Sequence, residues 1–101
     1  QITTNPDPWV AYFDADALID PLVLRTRRRG DRFRPQGMGG HSVKLSAFMI
    51  NLKIPQAWRD CIPLLAAAEE IIWVCGRRMG EGAIVRPGTR RVARMRFERV
   101  S

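Results

Sequence analysis

The chain has 101 residues and carries 17 Lys+Arg against 10 Asp+Glu, a net charge of +7, a size suited to one compact domain. Hydrophobic residues make up 46% of it, enough for a modest core, which excludes a disordered basic tail. The longest apolar stretch, Ile62 to Cys75, is 14 residues long and broken by Glu69 and Glu70, short of the ~20 a membrane-spanning helix needs.

Residues 1–8, with Pro6 and Pro8, read as a linker, and 9–101 as the domain. The start QITTNPDP has neither the basic residues nor the apolar run of a signal peptide. With no initiating Met, the chain is expected to be a domain of a longer, cytoplasmic protein. Trp9–Phe13 predicts a short strand. Asp14–Asp20 predicts a helical turn with Asp14 as N-cap, ended by Pro21. Leu22–Arg28 predicts a strand, with Leu22, Leu24 and Thr26 inward and Val23, Arg25 and Arg27 outward. The Pro- and Gly-rich stretch Gly30–Gly40 predicts a loop.

Leu45, Phe48, Met49 and Leu52 then fall at i, i+3, i+4 and i+7, the stripe of an amphipathic helix. Ser42 is its expected N-cap and Pro55 its stop. Pro55 opens a second helix to about Ile62, expected to bury Trp58 and one or both of Cys61 and Ile62 and to leave Arg59 exposed. Pro63–Ala67 and Ile71–Cys75 predict a β-hairpin around a Glu-Glu turn. Arg91–Val100 alternates, with Ala93, Met95 and Phe97 on one face and Arg94, Arg96 and Glu98 on the other. Strands, two short helices and further strands predict an α+β fold, a small mixed β-sheet or sandwich. Trp58, Trp73, Phe48 and Met49 read as core. The two cysteines, Cys61 and Cys75, read as reduced core residues.

The charge is uneven. Residues 1–24 hold four Asp and no Lys or Arg, so the remaining 77 carry +11 of a total of +7. Of the basic residues 15 are Arg, whose planar fork of donors suits phosphate. Arg25, Arg27, Arg28, Arg29, Arg32 and Arg34 crowd into ten positions. A strand carrying Arg25 and Arg27 that runs into such a loop can grip several successive phosphates. Only Phe33 is aromatic within the cluster, which favours duplex-backbone or shape recognition over single-strand stacking. The competing reading is that about a third of these arginines pair with the domain's own carboxylates. Asp31 beside Arg32 and Asp60 beside Arg59 are the expected pairs.

Other chemistries find little support. The single histidine, His41, has no cysteine near it in sequence, and Cys61 and Cys75 form no CxxC unit, so no metal site is expected. Gly37–Lys44 lacks the GK[ST] ending of a phosphate loop, and Gly76–Gly82 misses the dinucleotide spacing. Arg29-Gly30-Asp31 is a three-residue match to the integrin tripeptide, too short to carry weight.

The run Arg25-x-Arg27-x-x-Gly30-Asp31-Arg32-Phe33-Arg34-Pro35-x-Gly37-Met38-x-Gly40 is far longer. Followed by Lys44-Leu45, Phe48, Lys53-Ile54-Pro55, Arg59, Pro63-Leu64-Leu65, Trp73-Val74-x-Gly76-x-Arg78 and Thr89, it resembles the C-terminal domain of bacterial tRNA(Ile)-lysidine synthetase. The resemblance spans about residues 21–97. It implies a fold similar to a domain of the phenylalanyl-tRNA synthetase β chain. It also implies a parent ligase that uses ATP, with Mg, to adenylate the wobble cytidine of a CAU-anticodon tRNA(Ile) and attach lysine. That chemistry belongs to an N-terminal domain with an SGGxDS motif, absent from this chain. The chain alone is therefore expected to hold no cofactor and no catalytic group, and to be inactive. Its implied role is to contact the acceptor-stem side of the tRNA.

On this reading Arg25, Arg27, Arg32, Arg34, Lys44 and Arg78 are expected to meet phosphate or acceptor stem, with Lys53 and Arg59 in lesser roles. Gly30, Pro35, Gly37 and Gly40 are expected to shape the displaying loop. Family members commonly carry Lys where this chain has His41 and Val43, which leaves Lys44 as the main cation of that loop. Expected partners are tRNA(Ile) and the parent's catalytic domain, with no membrane and with a homo-oligomer open. The alternative from a different class is an interaction domain that docks on the parent's other domains or on a second subunit.

Overall fold

A computed structural model describes residues 7–98, so most of the expected linker and the tail from Arg99 onward lie outside the described residues. The described strands are β1 (Val10–Asp14), β2 (Leu22–Arg25), β3 (Arg32–Phe33), β4 (Val43–Lys44), β5 (Leu64–Ala67), β6 (Glu70–Val74), β7 (Arg78–Met79) and β8 (Val92–Arg96). The helices are α1 (Leu45–Asn51) and α2 (Gln56–Arg59), with single 3-10 turns at Ala15–Ala17 and Glu81–Ala83. The central sheet has the order β2-β5-β6-β7, flanked by the two-stranded ribbons β1-β8 and β3-β4. The architecture is α+β, and every strand pairing is antiparallel.

The β5–β6 hairpin is the spine. Its loop is Ala68–Glu69, with φ of 49° and 74°, the two left-handed residues that a type I′ hairpin turn requires. The turn therefore sits one residue earlier than the Glu-Glu pair, and Glu70 opens β6 opposite Ala67. The register shifts between Leu65 and Ala66, which pair with Trp73 and Ile71, so Ile72 is left as the extra residue of a bulge. The bulge breaks strict alternation. Ile71 and Val74 face one core cluster with Phe33, Leu45, Phe48, Met49 and Leu64. Ile72, Trp73 and Cys75 face the other with Ala11, Phe13 and Leu65. One hairpin thus supplies both cores, with α1 and β3 against one face and β1 against the other.

Packing outweighs surface charge here. Truncating a fully buried Leu to Ala costs about 2–5 kcal/mol, whereas an exposed ion pair contributes about 0–1 kcal/mol. Among the described residues no charged or polar side chain is buried, and no helix is long and apolar enough to cross a membrane.

Several elements follow the sequence reading. β1 forms, and Asp14 caps the 3-10 turn by accepting the Asp16 N–H at 3.0 Å. α1 buries Leu45, Phe48 and Met49, and β8 half-buries Ala93 and Met95. Others are corrected. β2 stops at Arg25, and its expected inward residues Leu22 and Leu24 are 39% and 55% exposed, while Thr26 is exposed beyond its end. β2 is an edge strand whose apolar side chains reach neither core, so alternation misjudged its inner face. The expected Gly30–Gly40 loop contains β3, whose Phe33 is fully buried. Lys44, not Ser42, occupies the N-cap of α1, with no side-chain cap bond, because Ser42 is engaged by Arg32.

α2 is a single turn with Pro55 at its N-cap. It buries Ile62 beyond its end but leaves Trp58 61% exposed, and Cys61 is exposed as well. Arg59, expected outward, is half-buried and donates from Nε to the Ile54 carbonyl at 2.9 Å. One helical turn is too short to present an inward stripe, so Trp58 stays outside.

Burial pushes the Cys75 thiol up to about 12, so it is unreactive at neutral pH. A maleimide at pH 8 is expected to label Cys61 alone in the native chain and both cysteines after unfolding, read by intact mass. Prompt labelling of both in the native chain would contradict the placement of Cys75.

Candidate nucleic-acid interface

β2 leaves the sheet at Arg25 and the chain must reverse within six residues to return as β3. One carboxylate makes the reversal. Asp31 accepts both Arg25 guanidinium nitrogens, at 2.9 and 3.0 Å, and the Arg28 backbone N–H at 2.7 Å. Gly30, at φ 85°, supplies the left-handed step that closes the turn. The Arg25 and Asp31 side chains are only 12% and 13% exposed. Burial pushes the Asp31 carboxyl up, but the Arg25 guanidinium and the Arg28 N–H outweigh it and hold the group below its ordinary 3.8. The Asp31 carbonyl accepts the Leu45 N–H at 3.0 Å, which ties the turn to the start of α1.

Arg27 reaches across to Asp60, just after α2, with Nε 2.7 Å from the carboxylate. Between these anchors lies a groove of about 600 Å³, lined by Arg27, Arg28, Arg29, Arg32 and Lys44 and by the carboxylates of Asp31 and Asp60. Both carboxylates are engaged by arginines, Asp31 by Arg25 at the end of β2 and Asp60 by Arg27. Arg28, Arg29, Arg32 and Lys44 form no ion pair among the described residues. Arg32 and Lys44 stand directly opposite each other in the β3–β4 register. Arg32 is oriented by Ser42, donating to its hydroxyl at 2.9 Å and its carbonyl at 3.1 Å. Like charges facing across a ribbon repel, and an anion seated between them relieves that repulsion.

The remaining candidates divide. Arg34 is spent on Glu70, which accepts from both Nε and Nη2, and the pair packs over the Gly82 Cα. Arg78 donates to the Gln36 carbonyl at 3.4 Å and lies over the Phe48 ring at 5.9 Å. Pro35 is buried and bridges Gly80. The exposed Gly37 and the half-buried Gly40 have φ of 89° and 84°. Lys53 is exposed after α1 at φ 60°. None of these residues, nor Arg59, lines the groove. His41 is exposed in a turn, and Val43 is half-buried against the first core.

Asp31 and Asp60 do pair with arginines, but with Arg25 and Arg27 rather than their sequence neighbours. Adjacent side chains in extended or turn backbone project apart, so adjacency is a poor guide to pairing. Sequence reasoning placed Arg28 and Arg29 in the basic cluster yet missed them as groove residues; their position in an unbroken run of three arginines was the available signal.

The lowered Asp31 pKa implies stability that is present above the ordinary carboxyl value of 3.8 and lost as pH falls through the lower folded value. Asp31→Asn is therefore expected to destabilise the chain most near neutral pH, with the gap from the unmodified chain closing below about pH 4. Denaturant melts across pH check this; a gap that stays constant with pH would contradict it.

Residues 22–97 match the family described as the TilS substrate C-terminal domain. A tRNA(Ile)-lysidine synthase of Dehalococcoides mccartyi is 48% identical over 88 residues, covering 87% of this chain and 18% of the relative. One from Caldanaerobacter subterraneus is 43% identical, covering 87% of this chain and 19% of the relative. The chain thus spans about a fifth of the length of these curated relatives. A solved structure titled "Crystal structure of TILS C-terminal domain" superposes with a TM-score of 0.71 at 29% identity, over 95% of this chain and 76% of that one. With its motif, its fold and three quarters of its length in agreement, the chain belongs to the TilS substrate C-terminal domain family.

Proposed function

We propose that the chain binds tRNA for a tRNA(Ile)-lysidine synthase, gripping the phosphate backbone of the acceptor-stem side in the groove between the β2–β3 turn, the β4–α1 junction and Asp60 beyond α2. The observation that carries this reading is the cross-strand pair Arg32 and Lys44, two cations face to face that form no ion pair among the described residues, beside the exposed Arg28 and Arg29. Four cations lining one groove can neutralise several phosphates, and a groove without aromatic lining among the described residues suits a duplex read by shape.

The division of labour follows. The parent's N-terminal domain uses ATP to join lysine to the wobble cytidine of the CAU anticodon, while this chain holds the tRNA some distance from the reaction, in the cytoplasm where tRNA is modified. The residues here do not fit a magnesium–nucleotide centre: the groove's two carboxylates are each held by an arginine. Among the described residues there is no group of three or more His, Cys, Asp or Glu placed to hold a metal. No chemical step is assigned to this chain.

Replacing Arg28, Arg29 and Lys44 together by Ala is expected to weaken tRNA binding by about tenfold or more. Arg34→Ala, which breaks only the Glu70 pair, is expected to change affinity less than about twofold while lowering the melting temperature. Filter binding at fixed salt measures both. Unchanged affinity in the triple variant would refute the groove, and equal weak binding of tRNA and an unrelated acidic polymer would favour an interaction domain.

A further inference from the structure

Trp9 and Trp58 are 41% and 61% exposed, and they share a cleft of about 410 Å³ with Phe97, Pro63 and Arg77. That volume is within the roughly 300–1,000 Å³ typical of small-molecule sites. Trp9 is held in place on several sides. A Cβ on Gly76 would fall 2.5–2.8 Å from three carbons of the Trp9 ring, so the indole lies against backbone that only glycine leaves open. The Phe97 ring sits 5.7 Å away, and the Phe97 N–H donates to the Trp9 carbonyl at 2.9 Å. Trp9 is a positioned platform, and little conformational freedom remains to be lost when something stacks on it.

Among the described residues the one charged side chain lining the cleft is Arg77, which is exposed and forms no ion pair with any of them. The cleft and the basic groove share no lining residue but meet along the chain. Trp58, Cys61 and Ile62 line the cleft, and Asp60, between them in sequence, lines the groove. Aromatic faces beside a guanidinium that forms no ion pair among the described residues match the chemistry of a nucleotide: a flat base and an anionic phosphate.

We propose that this cleft takes unpaired nucleobases of the same RNA whose duplex backbone occupies the groove. The inference rests on the groove reading, and it adds a site for single-stranded RNA that the groove itself does not contain. Trp9 and Trp58 provide stacking surfaces, and Arg77 meets the phosphate between stacked nucleotides. Recognition by stacking tolerates any base, so the site senses that nucleotides are unpaired more than which they are.

The test compares a blunt RNA duplex with the same duplex bearing four unpaired 3′ nucleotides, titrated into this chain by anisotropy and tryptophan fluorescence. The tailed duplex is expected to bind about tenfold tighter, from stacking worth about 1–3 kcal/mol per base, and to quench tryptophan emission. Trp58→Ala, at an exposed position, and Arg77→Ala are each expected to remove most of that advantage while leaving blunt-duplex affinity unchanged. Equal binding of the two duplexes, or a tail advantage that survives both substitutions, would overturn this inference and leave the groove intact. Failure of both duplexes to bind would overturn the two readings together. A change in sedimentation mass on Trp58→Ala would instead assign the cleft to a second copy of the chain, and would also overturn it.

Discussion

The Asp31 carboxylate is the constraint on which the basic face depends. It holds the Arg25 guanidinium with one set of bonds and the Arg28 N–H with another, and its backbone carbonyl receives α1. Without it the segment from Thr26 to Gly30 would carry three adjacent, mutually repelling arginines, Arg27, Arg28 and Arg29. With it, Arg25 is neutralised beneath the turn, and Arg28 and Arg29 are turned outward into the groove. The same logic recurs at Asp60, which binds Arg27 at the groove's other wall. The domain uses carboxylates to fold its arginine cluster and leaves a defined subset of cations unpaired.

That arrangement needs a rigid support, and the β5–β6 hairpin provides it. Its bulge turns Ile72 and Trp73 to the same side, so one pair of strands feeds core on both faces. α1, pinned by Leu45, Phe48 and Met49, presents its N-terminal end to the groove through Lys44. On the second face Trp73 meets Phe13 edge to face at 5.8 Å, which fastens the β1–β8 ribbon. The cations therefore stand on packed elements or on a turn tied to them.

Much of this was legible in the sequence, for reasons particular to each element. The hairpin, α1, the Asp14 cap and the α+β class rest on local periodicity and turn chemistry, which short-range rules capture. The motif from Arg25 to Gly40 disclosed the family. What escaped was set by distant partners. Nothing near Arg34 in sequence announces Glu70, 36 residues away, and nothing near Arg27 announces Asp60, 33 residues away. Leu22 and Leu24 look like core residues until β2 is seen to be an edge, and Trp58 looks buried until α2 proves to be one turn long. The exposed Trp58 was the costliest misreading, because an aromatic assigned to the core conceals a surface cleft.

The account divides the arginines into those that hold the fold and those that hold RNA, and the salt dependence of binding measures that division. For a blunt RNA duplex, the slope of log Kd against log salt counts the phosphates neutralised, at about 0.9 per contact. Arg28, Arg29, Arg32 and Lys44 acting alone give a slope of about 3–4. A slope near zero, or one near about 8 that requires the carboxylate-paired arginines to contact phosphate as well, would contradict the account.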